Sequence, residues 1–299
     1  MKSPKILAIT LNWNGKDNTI ECIRSLEELD YPNYEIVVVD NGSTDGSVEV
    51  LSDLFPHIVV LASSTNLGYA EGFNTGIRYA YERGADYFFI LNNDTVIDRK
   101  ALSALVSVAE TDNKIGFVSG KVFLYGYKNM LQTVGKQLHP ITLVGKHLGA
   151  REEDNGMYDF EKDYDFVDDV FLLVRRSVFE EVGGYDPNFF LYFEETDWCA
   201  RVRKAGFRIV YTPKAKIWHK GSMSTGGGMN PTHIYYLNRN RIVFLRRNAN
   251  VLRLFVYLIA LFTCYGPRQA LYHLKRRQFQ HFHSYIKGIT SGLIWLLSH

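Results

Sequence analysis

Within its first hundred or so residues the chain repeats one pattern four times: an apolar run, a polar cluster, then a segment of helical spacing. KILAITLNW precedes a helix predicted around Asn18 to Leu29, and YEIVVVD one around Gly46 to Leu54. HIVVLA precedes one around Tyr69 to Arg83, and ADYFFIL one around Arg99 to Glu110. Short β-rich runs alternating with helices predict an α/β fold, a mostly parallel central sheet flanked by helices. Such sheets bind ligands beyond the carboxyl ends of their strands. NWNG, DNGSTDG, SSTNLG and NNDT all fall at that end, so the polar clusters converge on one crevice.

Farther along, the pattern weakens from about Phe117 to Asp165, where Tyr, Lys, Gly and His are frequent. Irregular or antiparallel structure beside the site is expected there. DDVFLLVRRSVF reads as a strand running into a helix, and GGYDPNFF as a turn and loop. EETDWCARVRKAG reads as a helix with a glycine stop, FRIVYTP as a strand ended by Pro213, and GSMSTGGGMNP as a mobile loop. With 299 residues, 46% of them hydrophobic, the chain can bury a substantial core. Cys22, Cys199 and Cys264 are too widely spaced for a disulfide framework or a zinc site, which fits a reducing compartment. The start, MKSPKILAITLNWNG, has too short an apolar run for a signal peptide and reads as a first strand.

Charge divides the chain unevenly. Thr232 to His299 carries ten Lys and Arg and no Asp or Glu, while the whole chain has 34 basic and 32 acidic residues. The remainder is therefore net acidic. A division into residues 1–231, catalytic, and 232–299, basic and helical, follows. VLRLFVYLIALFTCYG is too short to cross a bilayer, which takes about 20 apolar residues. Leu271, Leu274, Phe282, Tyr285, Ile289 and Leu293 then recur at helical spacing beside Lys275, Arg276 and Arg277. An interfacial anchor on anionic lipid is expected, with a core helix packed on the catalytic domain as the alternative.

Three clusters carry the chemistry. Asp40 and Asn41 close the second strand, where a carboxylate can accept hydrogen bonds from a ribose hydroxyl or base; an Asx turn is the structural alternative. No G-x-G-x-x-G follows the first strand and no P-loop motif occurs, which disfavours a dinucleotide cofactor and a P-loop ATPase. Asp94 in NNDT can hold a hard divalent cation against a diphosphate, or it closes a polar turn. Glu194, Glu195 and Asp197 share about one helical turn, where mutual repulsion raises the pKa of at least one if they are partly buried. A solvated acidic helix start is the alternative. His219, in IWHKGS, becomes a ligand candidate only if its strand brings it near Asp94.

Taken in order, TLNWN, VVVDNGSTDGS, NLGYAEGFNTGI, LNNDT, FLLVRRSVFEEVGGYDPNFFLYFEETDWCARVRKAGFRIVYTP and IWHKGS resemble family 2 glycosyltransferases, in particular the rhamnosyltransferase-like branch. The resemblance covers roughly residues 5 to 245, and its specificity lies in the ordered set. It implies the GT-A fold, a nucleotide-diphospho-sugar donor, a divalent cation (Mg2+ or Mn2+) and inversion at the anomeric carbon. Leu11, Asn12 and Trp13 match the first-strand loop that lines the nucleobase, and Asp40 the base- or ribose-binding aspartate. Asn41, Asn66, Gly68, Asn74 and Asn93 complete the implied donor site. Asp94 matches the metal-ligand position and His219 a histidine that completes the metal shell. Glu195 matches the catalytic base, with Glu194, Asp197, Trp198 and Asp169 implied in acceptor or sugar positioning.

The chain departs from the family pattern at three places. Asn92 and Asn93 replace the first carboxylate of the acidic motif, Glu195 replaces the commoner Asp, and Asp168 and Asp169 stand where relatives carry small residues. The first weakens metal affinity, the second extends the base by one methylene, and the third bears on sugar and acceptor preference. The resulting expectation is an inverting, metal-dependent glycosyltransferase, attached peripherally to the cytoplasmic face of the cell membrane. It extends a lipid-linked glycan, with dTDP-rhamnose as the first donor candidate and no nucleic acid as partner. Two alternatives stand beside it: a sugar-phosphate nucleotidyltransferase, which lacks its basic loop here, and a degenerate nucleotide-sugar or nucleic-acid binding module.

Overall fold

The computed structural model describes residues 3–139, 145–221 and 230–298. The elements run β1 (Ile6–Asn12), α1 (Lys16–Glu27), β2 (Tyr34–Asp40), α2 (Ser47–Leu54), β3 (Val59–Ala62), α3 (Gly68–Glu82), β4 (Tyr87–Asn92), β5 (Thr95–Ile97), α4 (Ala101–Ala109) and β6 (Ile115–Leu124). They continue with β7 (Leu131–Thr133), β8 (Lys136–Leu138), β9 (Gly145–His147), β10 (Lys162–Asp163), β11 (Phe171–Arg175), α5 (Arg176–Val182), α6 (Glu194–Lys204) and β12 (Arg208–His219). Four helices follow: α7 (Pro231–Asn248), α8 (Val251–Ala260), α9 (Gly266–Lys275) and α10 (Phe279–Ser298).

The main sheet has the order β10-β12-β6-β11-β4-β1-β2-β3, with β5 added to β12 and β7 to β6. The β3-β2-β1-β4 half is parallel, as the four repeated units require. β11 runs antiparallel to both β4 and β6, while β12 is parallel to β6, so the sheet as a whole is mixed. Apolar side chains on both faces of β1, β2 and β4 are buried, which is why their sequences show no alternation. α3 lies so close to the sheet that a Cβ on Gly76 would meet Ile9 Cγ2 at 2.4 Å. That glycine permits the contact of helix backbone with strand.

Two stretches differ from expectation. Ile115–Leu124, where the pattern weakens, is a ten-residue interior strand. Its Gly120 is required because a Cβ there would stand 2.3 Å from the Ala215 carbonyl oxygen, and its Lys121 is buried on ion pairs with Asp154 (2.6 Å) and Asp159 (2.5 Å). FRIVYTP does not end at Pro213: β12 runs on to His219, the register to β6 jumping between Thr212 and Lys216. A bulge of this kind admits a proline in a strand. Most of the GSMSTGGGMNP segment lies outside the described residues.

The expected division after residue 231 falls at the start of α7, a helix buried in the same core as the sheet. Ile242, Val243, Phe244 and Leu245 join the core cluster of Phe73 and Trp198, and Asn240 Nδ2 donates to the carbonyls of Leu191 (2.8 Å) and Tyr192 (3.0 Å). α10 returns along α7, with Gly288 and Gly292 against its backbone. The positions from Leu271 to Leu293 therefore do not form one face, because the chain breaks near Arg277 (φ 54°) between α9 and α10. Leu271 and Leu274 are exposed, whereas Tyr285 is buried. Val251–Lys275 is one helical run of 25 residues that passes through a π turn at Leu261–Tyr265 and is only 11% buried in its most apolar window. By length and composition it is long enough to cross a membrane.

Candidate active site

β4 ends at Asn92, and its neighbours bring the other functional groups to that end. β5 pairs with β12 so that Thr95 faces His219. The result is a contact of 3.0 Å between His219 Nε2 and Asp94 Oδ1. The strand thus meets the condition on which the histidine became a ligand candidate. On its other side His219 Nδ1 stands 2.9 Å from Gln132 Oε1, an acceptor, so Nδ1 carries the proton. The Nε2 lone pair then points at a carboxylate oxygen, an arrangement that calls for a proton or a cation between them. Among the described residues no group of three or more His, Cys, Asp or Glu is arranged to hold a metal. Asp94 and His219 nonetheless fit a divalent cation whose remaining ligands are diphosphate oxygens and water.

The second side of the crevice comes from β11 and α6. β11 runs antiparallel to β4, so its leading residues Asp168 and Asp169 lie beside the polar end of β4, where Asn92 N donates to the Val170 carbonyl (3.0 Å). α6 starts at Glu194 after Tyr192 and Phe193, both at positive φ (67° and 70°). The aromatic approach and this turn bury the first helical residues instead of solvating them.

Four carboxylates there have opposite environments. Burial pushes the Glu194 carboxyl well above its usual range, and the Glu195 charge adds to the shift; its Oε2 is buried without a hydrogen-bond partner. Asp169 is raised to about 7, first by burial and then by the Glu195 charge, although Tyr185 Oη donates to it (2.8 Å). Burial also acts on Glu195, but the ammonium of Lys136 on β8 pairs with its Oε1 and holds it below the usual range. Asp168 is lowered to about 2: burial is offset by Lys136 (3.7 Å) and His147 (2.8 Å). Glu195 is thus kept ionised while its neighbours Asp169 and Glu194 tend to hold protons. Lys136 and Thr196 both donate to Oε1, whereas Oε2 receives no hydrogen bond from the described residues.

Tyr69 joins the two sides. Its hydroxyl donates to Asn92 Oδ1 (3.0 Å), and its backbone N–H donates to the Phe190 carbonyl (2.8 Å) of the loop before α6. Tyr69, Gln132, Thr133, Lys136, His147 and Tyr185 were not legible as site residues. For Gln132, Thr133, Lys136 and His147 the only signal was the Tyr, Lys and His content of the stretch after Phe117.

Several expected donor-site residues are engaged within the scaffold. Asn12 is fully buried, bonded through Nδ2 to Asp40 Oδ2 (2.7 Å) and through Oδ1 to Thr19 Oγ1 (2.8 Å). Asp40, expected on a ribose or base, is 1% exposed, and its second oxygen accepts from Ser43 N (2.9 Å). Asn41 is buried and clamps the next loop, accepting from Leu67 N (2.9 Å) and donating to the Gly68 carbonyl (3.0 Å). Asn74 donates to the Tyr185 carbonyl (2.8 Å), and Leu11 packs in the core. Gly68 sits at φ 82° under the Phe190 ring. Asn12, Asp40 and Asn41 are thus polar side chains at strand ends that are satisfied by the loops they organise. Trp13, 56% exposed, and Asn66 remain open to the crevice end, and Asn93 donates to Thr19 Oγ1 (2.8 Å).

On α6 the acceptor-side expectations also divide. Trp198 is fully buried and donates Nε1–H to the Gly183 carbonyl (2.9 Å). Asp197 is buried on Arg201 (2.7 Å), one turn away. Trp198 also packs on Tyr185, the residue that bonds Asp169, while Glu195 at the helix start meets Lys136.

The Asp169 environment sets a pH dependence. Its folded value of about 7 lies above the ordinary 3.8, so the stability it contributes is present below about pH 4 and is lost as pH rises through about 7. Asp169→Asn removes this titration. The melting temperature of the wild type is expected to fall more steeply than that of Asp169→Asn between about pH 5 and pH 8. Equal slopes in thermal unfolding would contradict the raised value.

A mixed sheet with the polar ends of its parallel half facing a carboxylate-bearing helix is the architecture of the GT-A fold. The solved structures bear this out for the fold. A mannosyltransferase from Pyrobaculum calidifontis, in complex with GDP-Man and Mn2+, superimposes at a TM-score of 0.58 with 15% identity, over 98% of this chain and 88% of its own. GalNAc-T7 with UDP, GalNAc and Mn2+ gives 0.59 with 13% identity, over 73% of this chain and 44% of the longer protein. The family model for glycosyl transferase family 2 matches residues 8–183, more than half of the sequence, and the chain belongs to that family. Similar curated proteins include a dTDP-rhamnosyl transferase of Shigella flexneri, 28% identical over 81% of this chain and 80% of the relative. Another is the N-acetylglucosaminyl-diphospho-decaprenol L-rhamnosyltransferase of Mycobacterium tuberculosis, 26% identical over 70% of this chain and 74% of its own. The chain is a family 2 glycosyltransferase.

Proposed function

We propose that this enzyme transfers a rhamnosyl group, with inversion, from dTDP-rhamnose to a hydroxyl of a lipid-linked glycan at the cytoplasmic face of the membrane. The observation that carries the mechanism is the contrast among three neighbouring carboxylates. Glu195 is held ionised by Lys136, while burial favours the protonated forms of Asp169 and Glu194. Environments that push carboxyl groups apart assign acid and base roles. The free Oε2 of Glu195 takes the proton of the acceptor hydroxyl, and Lys136 balances the negative charge beforehand. The acceptor oxygen attacks the anomeric carbon from the face opposite the diphosphate, which inverts that carbon. Asp94 and His219 would hold a divalent cation, which when bound would supply positive charge to the leaving diphosphate. Asp169 and Glu194, in their protonated forms, donate hydrogen bonds to sugar or acceptor oxygens.

The rhamnosyl donor and the lipid-linked acceptor rest on the two rhamnosyltransferase relatives, and the cation on the Asp94–His219 pair together with the Mn2+ in the structural neighbours. The exposed apolar helix from Val251 to Lys275 supports attachment to the membrane. The test is a thermal-shift panel of nucleotide sugars with Mn2+ or Mg2+. A donor at a hundredfold its Kd stabilises the native state by about 2.7 kcal/mol. dTDP-rhamnose is expected to give the largest cation-dependent rise. A larger rise with another nucleotide sugar overturns the donor. Turnover of a nucleoside triphosphate with a sugar phosphate would indicate a nucleotidyltransferase instead.

A further inference from the structure

Arg241 of α7 is a buried cation without a counterion. It is 7% exposed, forms no ion pair among the described residues, and its Nε has no hydrogen-bond acceptor. Its Nη1 donates to the Tyr265 hydroxyl (3.3 Å). The sequence offers no acid nearby, since none occurs between Thr232 and His299. An unpaired buried guanidinium is costly unless something else supplies negative charge.

Tyr265 also lines a cleft of about 790 Å³ between α7, α9 and α10. Tyr265, Tyr272, His273 and the guanidinium-bearing Arg268 and Arg276 of α9 and its flanks line it, and no acidic side chain does. Tyr285 lines it from α10, with a buried hydroxyl that has no partner. The charged groups of the cleft are all cationic donors, and two buried donors are unsatisfied, Tyr285 Oη in its lining and Nε of Arg241, which bonds the lining Tyr265. The volume is that of a ligand pocket. None of these residues belongs to the active site described above.

We propose that this cleft binds a phosphate or diphosphate group. Guanidinium groups recognise phosphate oxygens through paired, charge-assisted hydrogen bonds, and the Tyr285 hydroxyl supplies a further donor. A lipid headgroup and a soluble phosphate share that chemistry. The lipid source is favoured by position: Leu271, Leu274 and Phe279, beside the cleft residues in sequence, are exposed apolar side chains, and Tyr272 is exposed while lining the cleft. A headgroup seated here would hold the exposed Val251–Lys275 helix against the bilayer.

The test uses the full chain and two variant pairs of equal charge change. Arg268→Gln with Arg276→Gln removes the cleft guanidiniums, and Lys275→Gln with Arg277→Gln removes adjacent cations that do not line it. Binding is measured to phosphatidylcholine vesicles with and without phosphatidic acid, at about 0.3 M salt so that diffuse attraction is screened. A second arm follows the melting temperature with inorganic phosphate or pyrophosphate. The cleft pair is expected to lose about tenfold or more of the affinity for phosphatidic acid vesicles, and the control pair less than about threefold. That pattern in the vesicle arm identifies a lipid phosphate; the same pattern only in the soluble arm identifies a free phosphate. Equal losses in both pairs, or no response of the wild type in either arm, overturns the site. The cleft pair is solvent-exposed, so its folding is not at issue; Arg241→Gln, if it folds, reports on the buried donor.

Discussion

Glu195→Gln is expected to transfer sugar about a hundredfold to ten-thousandfold more slowly than the wild type, at nearly unchanged donor affinity. The amide keeps the size of the side chain and can still meet Thr196 and Lys136 through its oxygen, but it lacks the basic oxygen that receives the proton. The counterpart Glu194→Gln should cost far less. Glu194 is buried without a partner at Oε2, and its surroundings favour the protonated form, for which an amide is a neutral substitute. Donor binding by calorimetry and initial transfer rates separate the two effects. A wild-type rate in Glu195→Gln, or loss of transfer in Glu194→Gln alone, places the base on a different carboxylate.

Asp94→Ala should lose cation-dependent donor binding and at least about a hundredfold in turnover, since nothing then offsets the leaving diphosphate beside His219. In the proposed cation site Asp94 supplies the one negative charge beside His219, 3.0 Å away, and the neutral imidazole left in the variant carries none. Asn92 and Asn93 cannot supply the missing charge either; Asn92 accepts from Tyr69 and Asn93 donates to Thr19. Donor titrations with and without a chelator measure the effect. Full activity of the variant in chelator would rule out the cation at this position.

The parallel half of the sheet was legible because β1, β2 and β4 are buried on both faces and therefore read as unbroken apolar runs ended by polar turns. Asp94 and Glu195 were singled out by their motifs, and the structure sets Asp94 against His219 and Glu195 against Lys136. β6 was not, because its Gly120 and Lys121 break the apolar pattern for reasons that lie elsewhere in the chain. The glycine makes room for the Ala215 carbonyl, and the lysine is neutralised by Asp154 and Asp159. Lys136 was hidden for a related reason. Nothing local marks a lysine as the partner of a carboxylate 59 positions away. Asp40 and Asn12 illustrate the converse. Their residue types fit ligand binding, but each is satisfied by the other and by the loops around it, a use of polar side chains that spacing alone does not distinguish. In the C-terminal region, charge and hydropathy showed an exposed basic and apolar surface. They did not show that α7 and α10 pack on the catalytic core, since α7 is not segregated into polar and apolar faces.

The central claim is that the acceptor, deprotonated by Glu195, displaces the diphosphate held on the Asp94 side in a single in-line step. The anomeric configuration of the product tests it most directly. The enzyme is supplied with a nucleotide sugar of known configuration, and the coupling of the anomeric proton in the isolated glycoside is measured by nuclear magnetic resonance. A product of the opposite configuration is the predicted result. A product that retains the donor's configuration would contradict the single displacement and the role of Glu195 as its base.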